Sequence, residues 1–413
     1  MIKETACGTS EQMSQAVINM KESKGSCMKF FHISDLHIGK QLHHYNMLEE
    51  QRDILAQVVS YADELRPDAV LIAGDIYDTP VPSAEAVAVF DEFLTKLCAV
   101  NAEMEICIIA GNHDSAKRID FASAILDKHR VHIAGMPPMK PEQFLKKVTI
   151  SDAYGNTNIY LLPFVKPAYV RKLFEEEEGL SYDTTVRKLL ERETINPSER
   201  NILVSHQFYT TGNTEPETSD SEVRMVGGIE NVDAKVLEQF DYAALGHIHK
   251  GQKIAREENR YCGTLLQYSV SEASDEKTLL MVELNGKGEK PIREKLPLKP
   301  MRRVRRLTGG IEEILAMASE ENCHDFVSIT LTDEVEAYHP KERLEAQYDH
   351  ILEIKIDNAR TRKLLEFSEA EIESLEPFDA FAAFFKEMNG RDMTEEETTF
   401  MQEIINGQKE ELA

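Results

Sequence analysis

Short unbroken apolar runs recur along the first two-thirds of the chain, and several end the same way. "MKFFHI" (28–33) runs into Ser34-Asp35-Leu36-His37. "DAVLIA" (68–73) runs into Gly74-Asp75, and "EICIIA" (105–110) into Gly111-Asn112-His113-Asp114. "RNILVS" (200–205) stops at His206, and "YAAL" (242–245) at Gly246-His247-Ile248-His249. Runs without polar alternation suit strands buried on both faces. Helical patterns lie between them. In "MLEEQRDILAQVVSYADELRP" (47–67), Ile54, Leu55, Val58, Val59 and Ala62 recur at helical spacing and Pro67 closes the segment. "PSAEAVAVFDEFLTKL" (82–97) predicts a helix with Ser83 as N-cap. Alternating strands and helices predict an α/β domain.

The pattern changes near residue 275. "KTLLMVEL" (277–284) and "PIREKLPL" (291–298) read as a hairpin about Asn285-Gly286, followed by "KPMRRVRRLTGG", helices, and the strands "DFVSITLTD" and "ILEIKID". The expected organisation is a disordered extension at 1–27, a large α/β domain at 28–274, a small α+β domain at 275–357, and a linker with helices at 358–413. Residues 1–27 are polar and aperiodic, which suggests a start codon chosen upstream of Met28. In the last segment Phe378, Phe381, Phe385 and Met388 form a helical stripe ending at Asn389-Gly390, and Thr394 with Glu397 reads as a capping box. "TGNTEPETSDSEVRMVGG" (211–228) has the composition of a mobile polar loop.

Composition narrows the setting. No apolar run reaches the roughly 18–20 residues of a membrane span, and the N-terminus lacks a secretion h-region. The 6 cysteines are scattered without CxxC, which fits a reduced, cytoplasmic protein. A formal charge of −26 argues against simple electrostatic binding of nucleic acid. Bound cations can reverse such a field locally.

The strand ends carry the chemistry. In an open α/β sheet the carboxyl ends of the strands converge on one edge, which would gather Asp35, His37, Asp75, Asn112, His113, Asp114, His206, His247 and His249. Asp35 and His37, in i,i+2 relation, share a side if the strand continues; so do His247 and His249. Mixed imidazole, carboxylate and amide donors suit Mn²⁺, Fe²⁺ or Zn²⁺. Seven candidate ligands exceed one tetrahedral ion and suit two ions about 3.5–4 Å apart with a shared carboxylate, for which Asp75, alone on its strand end, is the natural choice. Singly, D-x-H and Gly-Asp are ordinary turn chemistry; five such endings in one chain are not. The other histidines (His32, His43, His44, His129, His132, His324, His339, His350) join no motif and are expected to be structural or superficial.

The order D-x-H, GD, GNHD, H, GHxH resembles the calcineurin-like metallophosphoesterases. The stretches "FHISDLHIGK", "LIAGDIYDTPVPS" and "IIAGNHDS" resemble, within that group, the SbcD-type nuclease subunits of bacterial SbcCD complexes. The resemblance implies a β-sandwich flanked by helices, a capping domain at 275–357 and an ATPase-docking segment at the C-terminus. It assigns one Mn²⁺ to Asp35, His37, Asp75 and His249, and another to Asp75, Asn112, His206 and His247. His113 would face the substrate and Asp114 would orient it. Asp78, in "GDIYDTP", stands where some relatives carry a histidine. The implied activity is a Mn²⁺-dependent DNA nuclease of repair, recombination and replication, acting on double-stranded ends and on single strands or hairpins. Its implied partners are DNA, an SbcC-like SMC-family ATPase in a heterotetramer, and a second copy through the nuclease domain. Arg302, Arg303, Arg305 and Arg306 are offered to phosphate backbones. The metal site alone would equally serve a phosphoesterase acting on nucleotides or phosphoproteins.

Overall fold

The computed structural model describes residues 27–174, 179–212, 214–222, 229–334 and 339–359, with scattered positions beyond. The expected N-terminal extension, apart from Cys27, and most of 358–413 lie outside the described residues. The chain divides after Arg305 into two compact units.

In the first unit, β1 (Met28–Ile33), β2 (Ala69–Ala73), β3 (Glu105–Ile109) and β4 (Val131–Ala134) pair in parallel. A second sheet contains β5 (Lys146–Asp152), β6 (Gly155–Leu162), β7 (Arg200–Ser205), β8 (Tyr242–Leu245), β9 (Gln252–Ile254) and β10 (Arg256–Tyr261). Its order is β9-β10-β8-β7-β6-β5, with β6, β7, β8 and β10 parallel.

The unbroken apolar runs are explained by what covers each face. Phe30, Leu71 and Ile109 meet Ile159, Ile202, Val204 and Ala244 between the two sheets. Phe31, Ile33, Val70 and Ile72 point the other way, onto helices α1 (Leu48–Leu65) and α2 (Ala84–Val100). Ser83 caps α2 as expected, accepting from the Ala86 amide at 3.2 Å. The outer face of the second sheet is covered by α3 (Tyr182–Glu191) through Val186, Leu189 and Leu190. The unit is a β-sandwich flanked by helices. The family resemblance implied that architecture; the apolar runs pointed only to a sheet covered on both faces.

The hairpin expected to open a separate small domain belongs to the first sheet instead. Its strands β11 (Thr278–Leu284) and β12 (Ile292–Pro297) are antiparallel, and β11 pairs antiparallel with β1. Both faces of β11 are apolar. Leu279 and Met281 join the helix-side core, while Leu280, Val282 and Leu284 join the core between the sheets. Arg302, offered to phosphate, donates instead to Glu50, which is buried, and to Glu49 at 3.3 Å.

The chain divides within β13 (Val304–Gly309). With β14 (Phe326–Leu331) and β15 (His350–Ile356) it makes a three-stranded sheet. Helices α4 (Ile311–Met317) and α5 (Pro340–Glu345) belong to the second unit, where Ile314, Leu344 and Tyr348 pack on Val327 and Ile329. Of the aromatic stripe, Phe381 and Phe385 have ring centroids 6.5 Å apart, and Met388 lies outside the described residues. Among the described residues no helix is long and apolar enough to cross a membrane.

His32 places a polar ring against the core between the sheets. The fully buried His32 joins them, accepting at Nδ1 from the Tyr242 hydroxyl (3.1 Å) and donating from Nε2 to the Leu245 carbonyl (3.2 Å). Burial pushes its pKa down to about 3 from the usual 6.5. The unfolded chain therefore takes up this proton first. Stability is complete above the unfolded value and is lost as pH falls from there toward the folded one. Between about pH 7.5 and 5.5 the parent should lose about 1.4 kcal/mol more unfolding free energy than His32→Gln. Urea titrations at the two pH values test this, and equal losses would acquit His32.

Candidate metal centre

The five strand endings meet at one place, but the edge is not that of a single sheet. β1, β2 and β3 leave the first sheet at Ile33, Ala73 and Ile109, while β7 and β8 leave the second at Ser205 and Leu245. The loops continue the parallel pairing. Asp35 donates its amide to Gly74 O (3.0 Å), His37 to Asp75 O (3.0 Å), and Gly246 to Ser205 O (3.0 Å). The assumption of a continuing strand at Asp35 and His37 fails, because β1 stops at Ile33. Both residues, and Asp75, take left-handed backbone with φ of 54°, 44° and 51°. Each such L-residue costs on the order of 1 kcal/mol, and strain of this kind clusters at functional sites. Gly111 lets the next loop approach: a Cβ there would overlap the Asp75 carboxylate.

The donor atoms are close and buried. His37 Nε2 stands 3.0 Å from His249 Nε2. Asp75 Oδ2 lies 3.3 Å from His206 Nε2 and 3.7 Å from His37 Nε2, so one oxygen faces two imidazoles. Asn112 Oδ1 is 3.0 Å from His206 Nε2 and 2.9 Å from His247 Nδ1. The Asp35 carboxylate accepts from the His247 amide at 3.0 Å and lies 4.0 Å from His206 Nε2. Asp35, His37 and His249 form one group whose donor atoms lie within 4.8 Å, and Asp35, Asp75 and His206 another.

These separations fit cations. Two ligands each about 2.1 Å from an ion and about at right angles stand about 3.0 Å apart. Nitrogens facing each other at that distance need a proton or a cation between them. The protein already fixes one tautomer: Ala73 O, which can only accept, lies 2.7 Å from His206 Nδ1, so that nitrogen carries hydrogen. Burial would raise the Asp75 pKa, but the His206 and His37 imidazoles hold it well below the usual carboxylate range. His206, against the cost of burial, is pushed up to about 9 by Asp75 and Asp35. Burial and His206 push His247 down to about 3. An entering ion would replace the proton on His206 and find His247 already neutral.

The calcineurin-like phosphoesterase family profile matches residues 28–251. The chain is a calcineurin-like phosphoesterase. A second profile, SbcD_C, described as the type 5 capsule protein repressor C-terminal domain, matches residues 297–389. The D subunit of nuclease SbcCD from Staphylococcus epidermidis is 27% identical over 384 residues, 92% of this chain and 98% of its own. Its counterpart of the same name from Staphylococcus saprophyticus is 27% identical over 390 residues, 93% of this chain and 99% of its own. Family and donor clusters together make this phosphoesterase a metal-dependent hydrolase.

His113 lies at the rim of the phosphoesterase site. Its amide donates to Asp75 Oδ1 (2.9 Å), and its Nδ1 donates to the Asp78 carbonyl (2.9 Å), which leaves Nε2 as the ring's accepting atom. Asp114 does not orient this ring, contrary to expectation. Its carboxylate accepts from three amides, Ile76 (3.1 Å), Tyr77 (3.0 Å) and Gly111 (2.9 Å). It clamps the loop bearing Asp75 to the loop bearing Asn112.

Sequence reasoning missed the supports around the donors. Gln51 of α1 grips the His37 loop, donating to His37 O (2.7 Å) and accepting from Gly39 N (2.9 Å). The Asp78 carboxylate lies 3.3 Å from His37 Nδ1 and accepts from Lys40 Nζ at 2.9 Å. Ser221 and Glu222, in the supposed mobile loop, both contact His249. None of these residues stands in a strand-end motif; of them only Asp78 was singled out in the sequence, as the position where some relatives carry a histidine.

Asp114→Asn aims an amide at N–H donors and should cost the metal-free phosphoesterase about 2–3 kcal/mol by urea unfolding. A variant as stable as the parent yet inactive would return Asp114 to the reacting groups.

Proposed function

We propose that this phosphoesterase is a Mn²⁺-dependent DNA nuclease that works as one component of a complex with an SMC-type ATPase. Its similarity over nearly its whole length to two proteins named as the D subunit of nuclease SbcCD supports the substrate and the partner. The observation that carries the two-ion reading is Asp75 Oδ2, which faces His37 Nε2 on one side and His206 Nε2 on the other. On this reading Asp35, His37, Asp75 and His249 hold one ion, and Asp75, Asn112, His206 and His247 hold the other. Arrangement in a heterotetramer, action at double-stranded ends and a role in DNA repair belong to the same proposal.

Divalent ions in such a site supply water of lowered pKa and screen the charge of a phosphodiester. The protein's own residues do the rest. Asp75 keeps its charge between the two donor sets. Asp35 and Asn112 orient those sets through the His247 amide and the His206 and His247 rings. His113, with Nδ1 tied to the Asp78 carbonyl, presents Nε2 to the phosphate. Protonated there, it stabilises charge on the non-bridging oxygens or gives its proton to the leaving oxygen.

The two roles separate by mutation. Asp75→Asn should abolish cleavage and weaken metal binding. His113→Gln should keep both ions by elemental analysis while cleavage falls by roughly 10²–10⁴. Loss of an ion in His113→Gln would make that histidine a ligand, and near-normal cleavage by Asp75→Asn would discard the shared carboxylate.

Substrate choice is tested with purified protein and Mn²⁺, comparing linear duplex DNA, hairpin DNA, nucleotides and a phosphopeptide. DNA cleavage with little turnover of the others is expected. Preference for nucleotides or phosphopeptide would sink the nuclease reading and keep the phosphoesterase.

A further inference from the structure

We propose that Glu272, acting through Ser221 and held by Lys277, is a positioning residue that fixes the tautomer of His249 for an ion. The inference rests on the reading of His249 as a ligand and adds a device outside every motif in the sequence.

Ser221 Oγ lies 2.6 Å from His249 Nδ1 and 2.6 Å from Glu272 Oε1. A hydroxyl has one proton to give. Glu272 is fully buried, and Lys277 Nζ donates to its Oε2 at 2.6 Å. Ser269 Oγ donates to its Oε1 at 2.9 Å. The Lys277 ammonium can only donate, so the carboxylate beside it stands as an ionised acceptor and takes the Ser221 proton. Ser221 Oγ must then accept from His249, which places hydrogen on Nδ1 and leaves the Nε2 lone pair facing His37 Nε2. Glu272 is 3.9 Å from His249 Nδ1, too far to do this without the serine.

The same ion pair holds the other end of the residue. Lys277 Nζ also donates to the His249 carbonyl (3.1 Å) and to Thr264 Oγ1 (2.8 Å). Imidazole and backbone of His249 are thus fixed from one buried Glu–Lys pair.

Replacement by glutamine should reverse the relay. Its amide NH₂ cannot face the Lys277 ammonium without setting donor against donor, so it turns toward Ser221. Ser221 then accepts from the amide and donates to His249 Nδ1, which moves the imidazole proton to Nε2, where it opposes a cation.

Mn²⁺ titration by equilibrium dialysis tests this on the full chain. The parent should bind two ions. Glu272→Gln should weaken one of them about 10–100-fold and leave the other unchanged. Ser221→Ala should weaken the same ion, while Ser221→Thr, which keeps the hydroxyl, should bind as the parent does. A merely structural role would not separate threonine from alanine at a constant melting temperature. If Glu272→Gln fails to fold, the two serine variants decide. Parent-like binding of both ions by Ser221→Ala would overturn the positioning role while leaving the metal reading intact. A parent that binds no Mn²⁺ would instead overturn the metal reading itself.

Discussion

Seven side chains turn oxygen and nitrogen donors toward one another in a space that excludes most water, and the fold is organised around holding them there. A buried cluster of imidazoles and carboxylates is unfavourable unless protons or cations sit among the donors. His37 and His249 show the problem most directly, with two Nε2 atoms at 3.0 Å. His206 shows it in its proton affinity, pushed up to about 9 beside Asp75 and Asp35 against the cost of burial. The protein answers by fixing the outward-facing hydrogens. Ala73 O takes one from His206, and Ser221 takes one from His249. With those hydrogens fixed outward, His206 Nε2 and His249 Nε2 are left to face an ion in place of a proton.

Delivering so many donors to one spot requires more strand ends than one sheet readily supplies at its edge. Stacking two sheets meets the requirement, since β1, β2 and β3 in one and β7 and β8 in the other all release their chains at the site. The stacking also needs both faces of the central strands to be apolar, which is why Phe30 and Phe31 are neighbours in sequence yet lie in different cores. The left-handed turns at Asp35, His37 and Asp75 follow. A chain leaving a strand must bend sharply to bring its side chains back across the seam, and the inter-loop hydrogen bonds stabilise that bend.

This explains what could be read from the sequence and what could not. The donors were legible because each stood in a glycine- or histidine-marked ending after an apolar run. The covered sheet was legible from the same runs, although two sheets and one look alike strand by strand. Asp114 was misread because adjacency to His113 says nothing of where a carboxylate points; three amides from two loops claim it. The β11–β12 hairpin was misplaced because a composition shift marks where the chain changes character, not which edge it pairs with. The free edge of β1 decided that. Ser221 and Glu272 were invisible because their role depends on contacts made 28 and 51 residues apart in sequence.

The electrostatics of the whole chain sharpen the case for cations as part of the working protein. A net charge of −26 repels a polyanion at long range, although screening limits that repulsion to about 8 Å at physiological salt. Inside that distance the local balance governs. Asp35 and Asp75 are ionisable acids at the centre, Asp78 stands beside them, and one nearby cation, Lys40, is already paired with Asp78. Arg302, the first of the basic cluster near the unit boundary, is tied to Glu50. On the proposed reading, two divalent ions bring four positive charges to donors whose own carboxylates, Asp35 and Asp75, supply two negative ones. The sign of the local field then depends on occupancy. Ions would thus do more than activate water. They would make the approach of a phosphodiester favourable at all, so that metal binding precedes substrate binding on electrostatic grounds.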